Sequence, residues 1–275
     1  EDRFSYALRI GRSNGSAETV RESIVIPSNN SNIRTRELRF KPAIKKNMLL
    51  LSSVDGGSGI GGEANLHVSL AYTASYSGSD SYGRILVNDS TGVSASAYLP
   101  LYDGQFWNLR WTTDTSNNNI VKVQAASDYI TGKVIHSGST NSVTEAIPAN
   151  FPSDNATIHI GGFKRGTAAT IDNILDAEVE NAYNYGYSSA RISEFSGSVQ
   201  EYREWLEIID DDTFNLHTLN PTSYVASSNP TASFEMLERH LPLGTDLDAI
   251  NLNDYDSFVY KILYSKHPRS GSSAT

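Results

Sequence analysis

The sequence predicts an all-β fold, an antiparallel jelly-roll sandwich that is followed by a short helix-containing C-terminal extension. Three observations support this prediction. Short runs of alternating apolar and polar residues recur along most of the chain. Turn-forming residues separate these runs at intervals of about ten residues, which is typical of sandwiches and jelly rolls rather than of βαβ folds. The pattern then changes after Trp205, where the signals of a capped helix begin.

The alternating runs are bounded by Gly, Pro, Asn and Asp, which favour turns over strands. The segment 168–191 interrupts this alternating pattern and is compatible with a loop or a short helix. In chain order, the predicted strands are Phe4–Ile10, Glu22–Ile26, Arg36–Pro42, Asn47–Ser53, Asn65–Tyr72, Gly83–Asn88, Val93–Leu101, Gln105–Thr112, Ile120–Ala125, Gly132–Ser137, Thr157–Gly162 and Val199–Trp205.

The strand that ends at Trp205 leads directly into a predicted helix. Asp210 or Asp211 is placed to cap its N-terminus, because a carboxylate accepts hydrogen bonds from the free N–H groups of a first turn. Asn220 and Pro221 then end it, since the residue before a proline avoids helical backbone angles. The chain therefore divides here into a strand-rich part and an extension.

A second helix is predicted from Asn229 and Pro230, because proline is favoured in the first turn of a helix. Phe234, Leu237 and Leu241 follow at helical spacing and form one apolar stripe. We expect this helix to pack on the sandwich or on a neighbouring chain.

Composition excludes several classes of protein. The net charge of -9, without a cluster of Lys or Arg, argues against nucleic-acid binding. Without cysteine there are no disulfides and no thiolate metal sites. The apolar run Met48–Leu51 has only the length of a strand, so no membrane insertion is predicted. A first residue other than Met and the linker-like tail 269–275 suggest an excerpt of a longer polypeptide.

Catalytic signatures are weak throughout. The glycine-rich run Gly57–Gly62 precedes a strand pattern, whereas a dinucleotide-binding loop opens a helix. The acidic run Glu178–Glu180 lacks a further acid within range, and a strand end separates Glu201 from Glu207, so no glycosidase pair is evident. The six histidines are too dispersed for a local zinc pair. The sequence therefore predicts a protein that is not an enzyme.

The segment Phe195–Trp205 with the acidic turn after it resembles the closing strand of laminin-G-like domains, which belong to the concanavalin A-like jelly-roll superfamily. The runs Arg36–Pro42, Gln105–Thr112 and Thr157–Gly162 are similar to other strands of this family. The segment 217–268 is similar to an extension of laminin-G-like virion structural proteins of bacteriophages and large DNA viruses. The resemblance implies a sandwich over 1–206, an extension over 207–268 and a tail over 269–275.

Because this fold carries many functions, the resemblance leaves three of them open. The first is a non-enzymatic structural or interaction module of a larger virion or surface protein, which assembles with other structural proteins or with copies of itself. The second is a calcium-assisted, lectin-like module that binds glycans for adhesion. The third is a divergent glycoside hydrolase. In each case the resemblance implies a place in a virion or on an extracellular surface.

Candidate site residues follow from loop position and residue type. Laminin-G-like domains often hold Ca²⁺ at a rim, and the resemblance implies Asp55, Asp103 and Asp172 as possible ligands. For sugar stacking, the sequence offers five aromatic loop residues, although burial in the core is the alternative for Trp107. These aromatic residues are Tyr76, Tyr82, Tyr102, Phe106 and Trp107. The predicted interaction residues are Tyr102, Trp107, Phe234 and Leu237.

Overall fold

The structure, a computed structural model, describes residues 8–10, 24–27, 32–54, 64–73, 76–89, 93–116, 118–128, 133–144, 157–161 and 193–243. Within these residues, the chain forms two largely antiparallel sheets, one α-helix and one 3-10 helix. The predicted all-β sandwich with a helix-containing extension is therefore confirmed.

The extension packs on sheet A. In spatial order, the main strands of this sheet are β1 (Leu8–Ile10), β14 (Gly197–Trp205), β3 (Thr35–Pro42), β8 (Trp107–Thr113), β9 (Asn118–Asp128) and β10 (Lys133–Ser139). Two short strands complete it: β11 (Val143–Thr144) pairs with β9, and β15 (Leu237–Leu241) pairs with β14.

Sheet B packs against sheet A. In spatial order, its strands are β2 (Ile24–Pro27), β12 (Thr157–Ile160), β4 (Met48–Val54), β5 (Ala64–Tyr72), β6 (Gly83–Asp89) and β7 (Val93–Ala95). The short β13 (Ser193–Glu194) runs parallel to β4. Strands that are distant in sequence are thus neighbours in both sheets.

The core lies between the two sheets, because alternate residues of each strand point inward. Leu38 and Phe40 of β3 and Trp111 of β8 contribute to it from sheet A, and they are at most 1% exposed. Gly197 begins β14 because a side chain there would collide with a backbone oxygen: a Cβ atom would lie 2.2 Å from the carbonyl oxygen of Lys41. Only glycine permits this close approach of β14 and β3.

Helix α1 (Asp211–Leu219) follows β14 and confirms the first predicted helix. Asp210 caps it by accepting a hydrogen bond from the N–H of Thr213 at 2.8 Å. Asp211 in the first turn forms ion pairs with Arg110 and Lys122, both at 2.8 Å, and these contacts hold the helix on the outer face of sheet A. In the part of the chain described, no helix is long and apolar enough to cross a membrane.

The second predicted helix is wrong beyond Glu235. A 3-10 helix covers Pro230–Glu235, with Asn229 as its cap, but Leu237–Leu241 is strand β15. The edge of β14 supplies the reason, since its unpaired backbone groups need hydrogen-bond partners. Pairing with that edge outweighs the helical spacing of the apolar residues in this segment.

Candidate ligand-binding sites

Of the three predicted calcium ligands, only Asp103 lies within the described residues; Asp55 and Asp172 lie outside them. The exposed carboxylate of Asp103 accepts a hydrogen bond from the N–H of Gln105 at 2.9 Å, which is an ordinary role in a turn. In the segments that the structure describes, no group of three or more His, Asp or Glu residues is arranged to hold a metal ion. Calcium binding stays a prediction.

Three of the four predicted interaction residues are buried, which corrects the expectation that they form a contact surface. Trp107 faces the core and is fully buried, and Tyr102 is buried with its hydroxyl donating to the carbonyl oxygen of Lys46 at 2.7 Å. Leu237 packs in a small core beneath the extension. Only the side chain of Phe234 is open to a partner, at 42% exposed.

The carboxylates considered as a catalytic pair have structural roles. Glu201 contacts Arg203 at 2.8 Å and His240 at 2.7 Å. Glu207 accepts hydrogen bonds from two consecutive backbone N–H groups, at 2.7 and 3.0 Å. The acidic run 178–180 lies outside the described residues. Neither Glu201 nor Glu207 is therefore available as an acid that faces a substrate.

Glu37 is buried where the extension covers the outer face of sheet A. Nδ1 of His217 lies 3.0 Å from its carboxylate, Nε1 of Trp205 donates to it at 2.9 Å, and Nη1 of Arg203 lies 3.6 Å away. Burial alone raises the pKa of Glu37, but His217, Arg203 and Trp205 together lower that pKa to about 2. Glu37 is thus ionised and fastens the extension to the sandwich.

A cleft of about 390 Å³ opens in the extension, between the segment after α1 and the 3-10 helix. Its two aromatic residues, Tyr224 and Phe234, have 56% and 42% of their surface exposed. No charged side chain lines it; its residues are Asn220, Thr222, Ser223, Tyr224, Val225, Pro230, Thr231, Ser233 and Phe234. We refer to this feature as the cleft.

Both walls of the cleft are held by helix caps. On one side, the N–H of Asn220 donates to the carbonyl of Leu216, and the N–H of Ser223 donates to the carbonyl of Asn220, which closes a turn. On the other side, the side chain of Asn229 accepts a hydrogen bond from the N–H of Ala232 at 3.2 Å. The cleft is therefore preformed by local sequence signals.

The polar groups in the cleft differ in how far they are already used. Oγ of Ser233 accepts a hydrogen bond from the N–H of Ala226 at 2.9 Å and lies near two backbone carbonyls. This hydroxyl is therefore already engaged in hydrogen bonds within the protein. The hydroxyls of Thr222 and Thr231 each donate to a neighbouring Asn side chain at 3.1 Å and can still accept. The Tyr224 hydroxyl has no hydrogen bond to any described residue. The cleft thus combines open aromatic rings with uncharged donors and acceptors.

A second exposed aromatic cluster lies at the hairpin between β5 and β6. The rings of Tyr76 and Tyr98 stack with centroids 4.2 Å apart, and Tyr82 lies 5.1 Å from Tyr76. The turn residues Ser77 and Gly78 both have positive φ, at 52° and 75°, which is the geometry of a type I′ hairpin turn. We call these three tyrosines the tyrosine stack. It unites the predicted Tyr76 and Tyr82 with Tyr98.

The sequence interpretation missed Tyr224 and Tyr98, and it chose Phe106 wrongly. Phe106 is buried beneath two cations, the guanidinium of Arg39 at 4.5 Å and the ammonium of Lys41 at 4.8 Å from its ring centroid. A signal for Tyr224 was present, because it stands among Pro, Thr and Ser residues that favour turns, where an aromatic ring has no strand to bury it.

Searches among known proteins found no matching family model and no matching curated protein. Among solved structures, the chain is similar to the heptameric SAP-like pentraxin of Limulus polyphemus, with 11% identity and a TM-score of 0.43 over 79% of this chain and 84% of that one.

It is also similar to the enzymatically active domain of tailspike protein 2 from bacteriophage CBA120, with 13% identity and a TM-score of 0.46 over 80% of this chain and 28% of that one. The carbohydrate-binding module CBM40 of the Ruminococcus gnavus IT-sialidase matches with 11% identity and a TM-score of 0.37, over 68% and 82% of the two chains. At these scores, the likenesses contribute nothing to the assignment of function.

Proposed function

We propose that this chain is a non-catalytic carbohydrate-binding module that takes a neutral sugar in the cleft. The observation that carries the proposal is the cleft itself, which places two exposed aromatic rings, Tyr224 and Phe234, beside uncharged hydroxyl and amide groups. A concave site with a few convergent polar groups is the usual form of a small-molecule site.

The chemistry of a pyranose fits each part of this lining. The C–H groups on one face of a sugar ring are apolar and pack on an aromatic ring, while the sugar hydroxyls need donors and acceptors around the edge. The hydroxyl of Tyr224 and those of Thr222 and Thr231 supply such groups. A volume of about 390 Å³ is near the lower end for ligand sites, which suits a ligand of one or two rings.

The described acids support a binding role over a catalytic one. A glycosidase needs two carboxyl groups that face the sugar, and none of the residues that line the cleft carries one. The buried carboxylates of Glu37, Glu201 and Glu204 are held by Arg or His side chains instead. We therefore propose that the module binds its ligand without cleaving it.

The test is isothermal titration of the whole chain with neutral tetrasaccharides of glucose, galactose and N-acetylglucosamine, with calcium and again with chelator. We expect one sugar class to bind, and Tyr224→Ala and Phe234→Ala each to weaken that binding about fivefold, since an aromatic contact contributes about 1 kcal/mol. Loss of binding with chelator would further support the calcium predicted from the resemblance.

Ile208→Ala is the matched control, because Ile208 is an exposed apolar side chain of the extension that does not line the cleft. It should leave the sugar affinity unchanged. If no neutral sugar binds, or if Ile208→Ala is as harmful as the cleft variants, the cleft is not a sugar site.

Assembly with copies of itself is the second candidate, and one observation favours it. The extension exposes four large apolar side chains, which a partner surface would cover on association. They are Ile208, Leu216, Tyr224 and Phe234. As an assembly module, the chain would serve a larger virion or surface protein, as the sequence resemblance suggests.

Sedimentation of the chain over a range of concentrations tests assembly. Leu216→Asp is the informative variant, because Leu216 is exposed on α1 and does not line the cleft. Self-association that disappears in Leu216→Asp would support assembly, and a monomer at all concentrations would exclude self-association. Leu237→Asp is unsuitable, because burying a charge in place of Leu237 would unfold the extension.

A further inference from the structure

We propose that Arg84 and the tyrosine stack form a second binding site, for a sugar that carries a carboxylate. This site is separate from the cleft: Arg84 belongs to β6 of sheet B, whereas the cleft belongs to the extension on sheet A. The proposal does not depend on the proposed function, because it rests on other residues and another class of sugar.

The side chain of Arg84 is held in position but not neutralised. Its Nε donates to the carbonyl oxygen of Ser96 at 2.8 Å, and its guanidinium carbon lies 5.1 Å from the ring centroid of Tyr98. No carboxylate or other acceptor in the described residues contacts its two terminal nitrogens. A guanidinium that is fixed at Nε and against a ring keeps its terminal N–H groups oriented. The arginine side chain therefore loses little entropy when a ligand binds to it.

Other arginines of this protein have a carboxylate as the partner of their terminal nitrogens. Arg110, Arg203 and Arg239 each place a terminal nitrogen 2.6–2.8 Å from a carboxylate oxygen. The chain has 31 acidic residues against 22 basic ones, so acceptors for Arg84 are abundant in its composition. That a half-buried arginine nevertheless has no acceptor for its terminal N–H groups among the described residues points to an acceptor that comes from a ligand.

The tyrosine stack supplies the remaining contacts. Tyr76 and Tyr98 are 40% and 38% exposed, and the hydroxyls of Tyr76, Tyr82 and Tyr98 make no hydrogen bond to a described residue. The ring contacts run from Tyr82 to Tyr76, to Tyr98 and then to Arg84, so the three phenol rings and the guanidinium form one continuous patch. Phenol groups both donate and accept, which matches sugar hydroxyls beside a carboxylate.

The shape of the guanidinium favours a carboxylate as the charged group. Two parallel N–H groups match the two oxygens of a carboxylate, and charge-assisted bonds of this kind are stronger than neutral ones. Asp80, the acid in the turn of the same hairpin, is already paired with Lys45 at 2.5 Å. The expected ligand is therefore a uronic-acid type of sugar.

The experiment compares two forms of one sugar chain on the 275-residue protein. Titration calorimetry with tetragalacturonate should show binding, and the fully methyl-esterified tetrasaccharide should bind at least about tenfold more weakly, because it lacks the charge. Arg84→Gln should weaken the acidic ligand by a similar factor. Arg84→Lys should recover only part of the affinity, since an ammonium keeps the positive charge but lacks the two parallel N–H groups of the guanidinium.

Three controls make the outcome decisive. Lys133→Gln removes the same charge from exposed β10 of sheet A and should leave the affinity unchanged. Tyr224→Ala alters the cleft alone and should also have no effect, which separates this site from the proposed function. Unchanged circular dichroism and urea midpoint in Arg84→Gln show that the variant is folded, and Arg84→Lys serves in its place if it is not.

Two results would overturn the proposal. One is equal binding of the acid and its methyl ester, or equal losses from Arg84→Gln and Lys133→Gln, which would reduce the effect to overall charge. The other is binding of oligoglutamate as tight as that of tetragalacturonate, which would make the site a receptor for acidic peptides instead of sugars.

Discussion

Two buried histidines on the outer face of sheet B have an electrostatic environment opposite to that of His217. His159, Ser52 and His67 lie side by side on three adjacent strands, and Oγ of Ser52 lies 3.1 Å from Nδ1 of His67. Burial lowers the pKa of both His67 and His159 to about 4, because removal from water disfavours the charged ring. Both are therefore neutral in the folded protein near neutral pH.

His217 is instead surrounded by acceptors. Its Nδ1 faces the carboxylate of Glu37 at 3.0 Å and its Nε2 faces the carbonyl of Val225 at 2.9 Å, so both ring nitrogens lie against acceptors. Its ring also stacks on Trp205 with centroids 5.5 Å apart. The same residue type thus serves as an ion-pair partner on one sheet and as a neutral polar side chain on the other.

The neutral histidines predict how stability depends on pH. Histidine in the unfolded chain titrates near pH 6.5, whereas His67 and His159 in the folded protein titrate near 4, so the unfolded state binds more protons between these values. The contribution of these two histidines to the free energy of unfolding should be fully present above about pH 6.5. It should decrease toward about pH 4, by up to about 3 kcal/mol for each histidine.

Urea unfolding at several pH values measures this slope. The double variant His67→Gln and His159→Gln should flatten the curve between about pH 6.5 and 4. His136→Gln is the control, because His136 stacks on Trp107 and its ring is only partly buried. A double variant with the slope of the original protein would show that these two histidines are not its source.

Strand β14 joins the sandwich to the extension. A single β-bulge determines which of its side chains face the core and which face the extension. Gln200 pairs with Arg39 and Arg203 with Glu37, so β14 has one more residue here than β3. Glu201, with φ of 52°, is the extra residue. The strict alternation predicted from the sequence is therefore broken, because the bulge reverses which side chains face outward.

The bulge has consequences on both faces of sheet A. After it, Tyr202 turns into the core, where its hydroxyl donates to buried Glu204 at 2.8 Å. Arg203 and Trp205 turn outward to Glu37 and the extension. Without the extra residue, these side chains would exchange faces, and the extension would lose its ionic anchor.

Removal of the extension tests whether the predicted boundary at residue 206 separates independent units. A chain that ends at Leu206 lacks α1 and β15, so Glu37 loses His217 and β14 loses the partner of its last residues. The truncated chain also loses the small core that Trp205 forms with Ile209, Phe214, Ala226 and Leu237, so apolar surface of the sandwich becomes exposed to water. We expect a lower urea midpoint and a red-shifted tryptophan emission, since Trp205 becomes exposed.

His217→Gln in the whole chain is the companion variant, because it removes the ionic partner but keeps the backbone of the extension. It should lower the midpoint less than the truncation does. If the truncated chain instead keeps the original midpoint and emission, the sandwich folds by itself and the extension is an appendage.

At the scale of the molecule, the two candidate sites occupy different parts of the protein. The cleft is uncharged and lies in the extension, while the Arg84 site is cationic and lies at the β5–β6 hairpin of sheet B. A chain of net charge -9 would repel acidic sugars over most of its surface, so an acidic ligand needs a local cation such as Arg84. Two sites of different character would let one module bind a mixed polysaccharide at two points.

The sequence by itself determined the features that depend on near neighbours in the chain. Alternation and turn residues predicted most strands of both sheets, and the signals at Asp210 and Asn220 predicted α1 within a residue at its ends. Charge and composition predicted that the chain does not bind nucleic acid, and this stays a prediction. These properties are readable because a cap, a turn or an alternating face needs only residues a few positions apart.

Only the tertiary structure decided which side chains meet and which are exposed. Trp107 and Phe106 are buried while Tyr224 and Tyr98 are open, although all four are aromatic residues near turns or strand ends. The bulge at Glu201 and the strand β15 arise from the backbone pairing of β14 with β3 and with residues far along the chain. Such choices depend on contacts between distant segments, and no local pattern of residues records them.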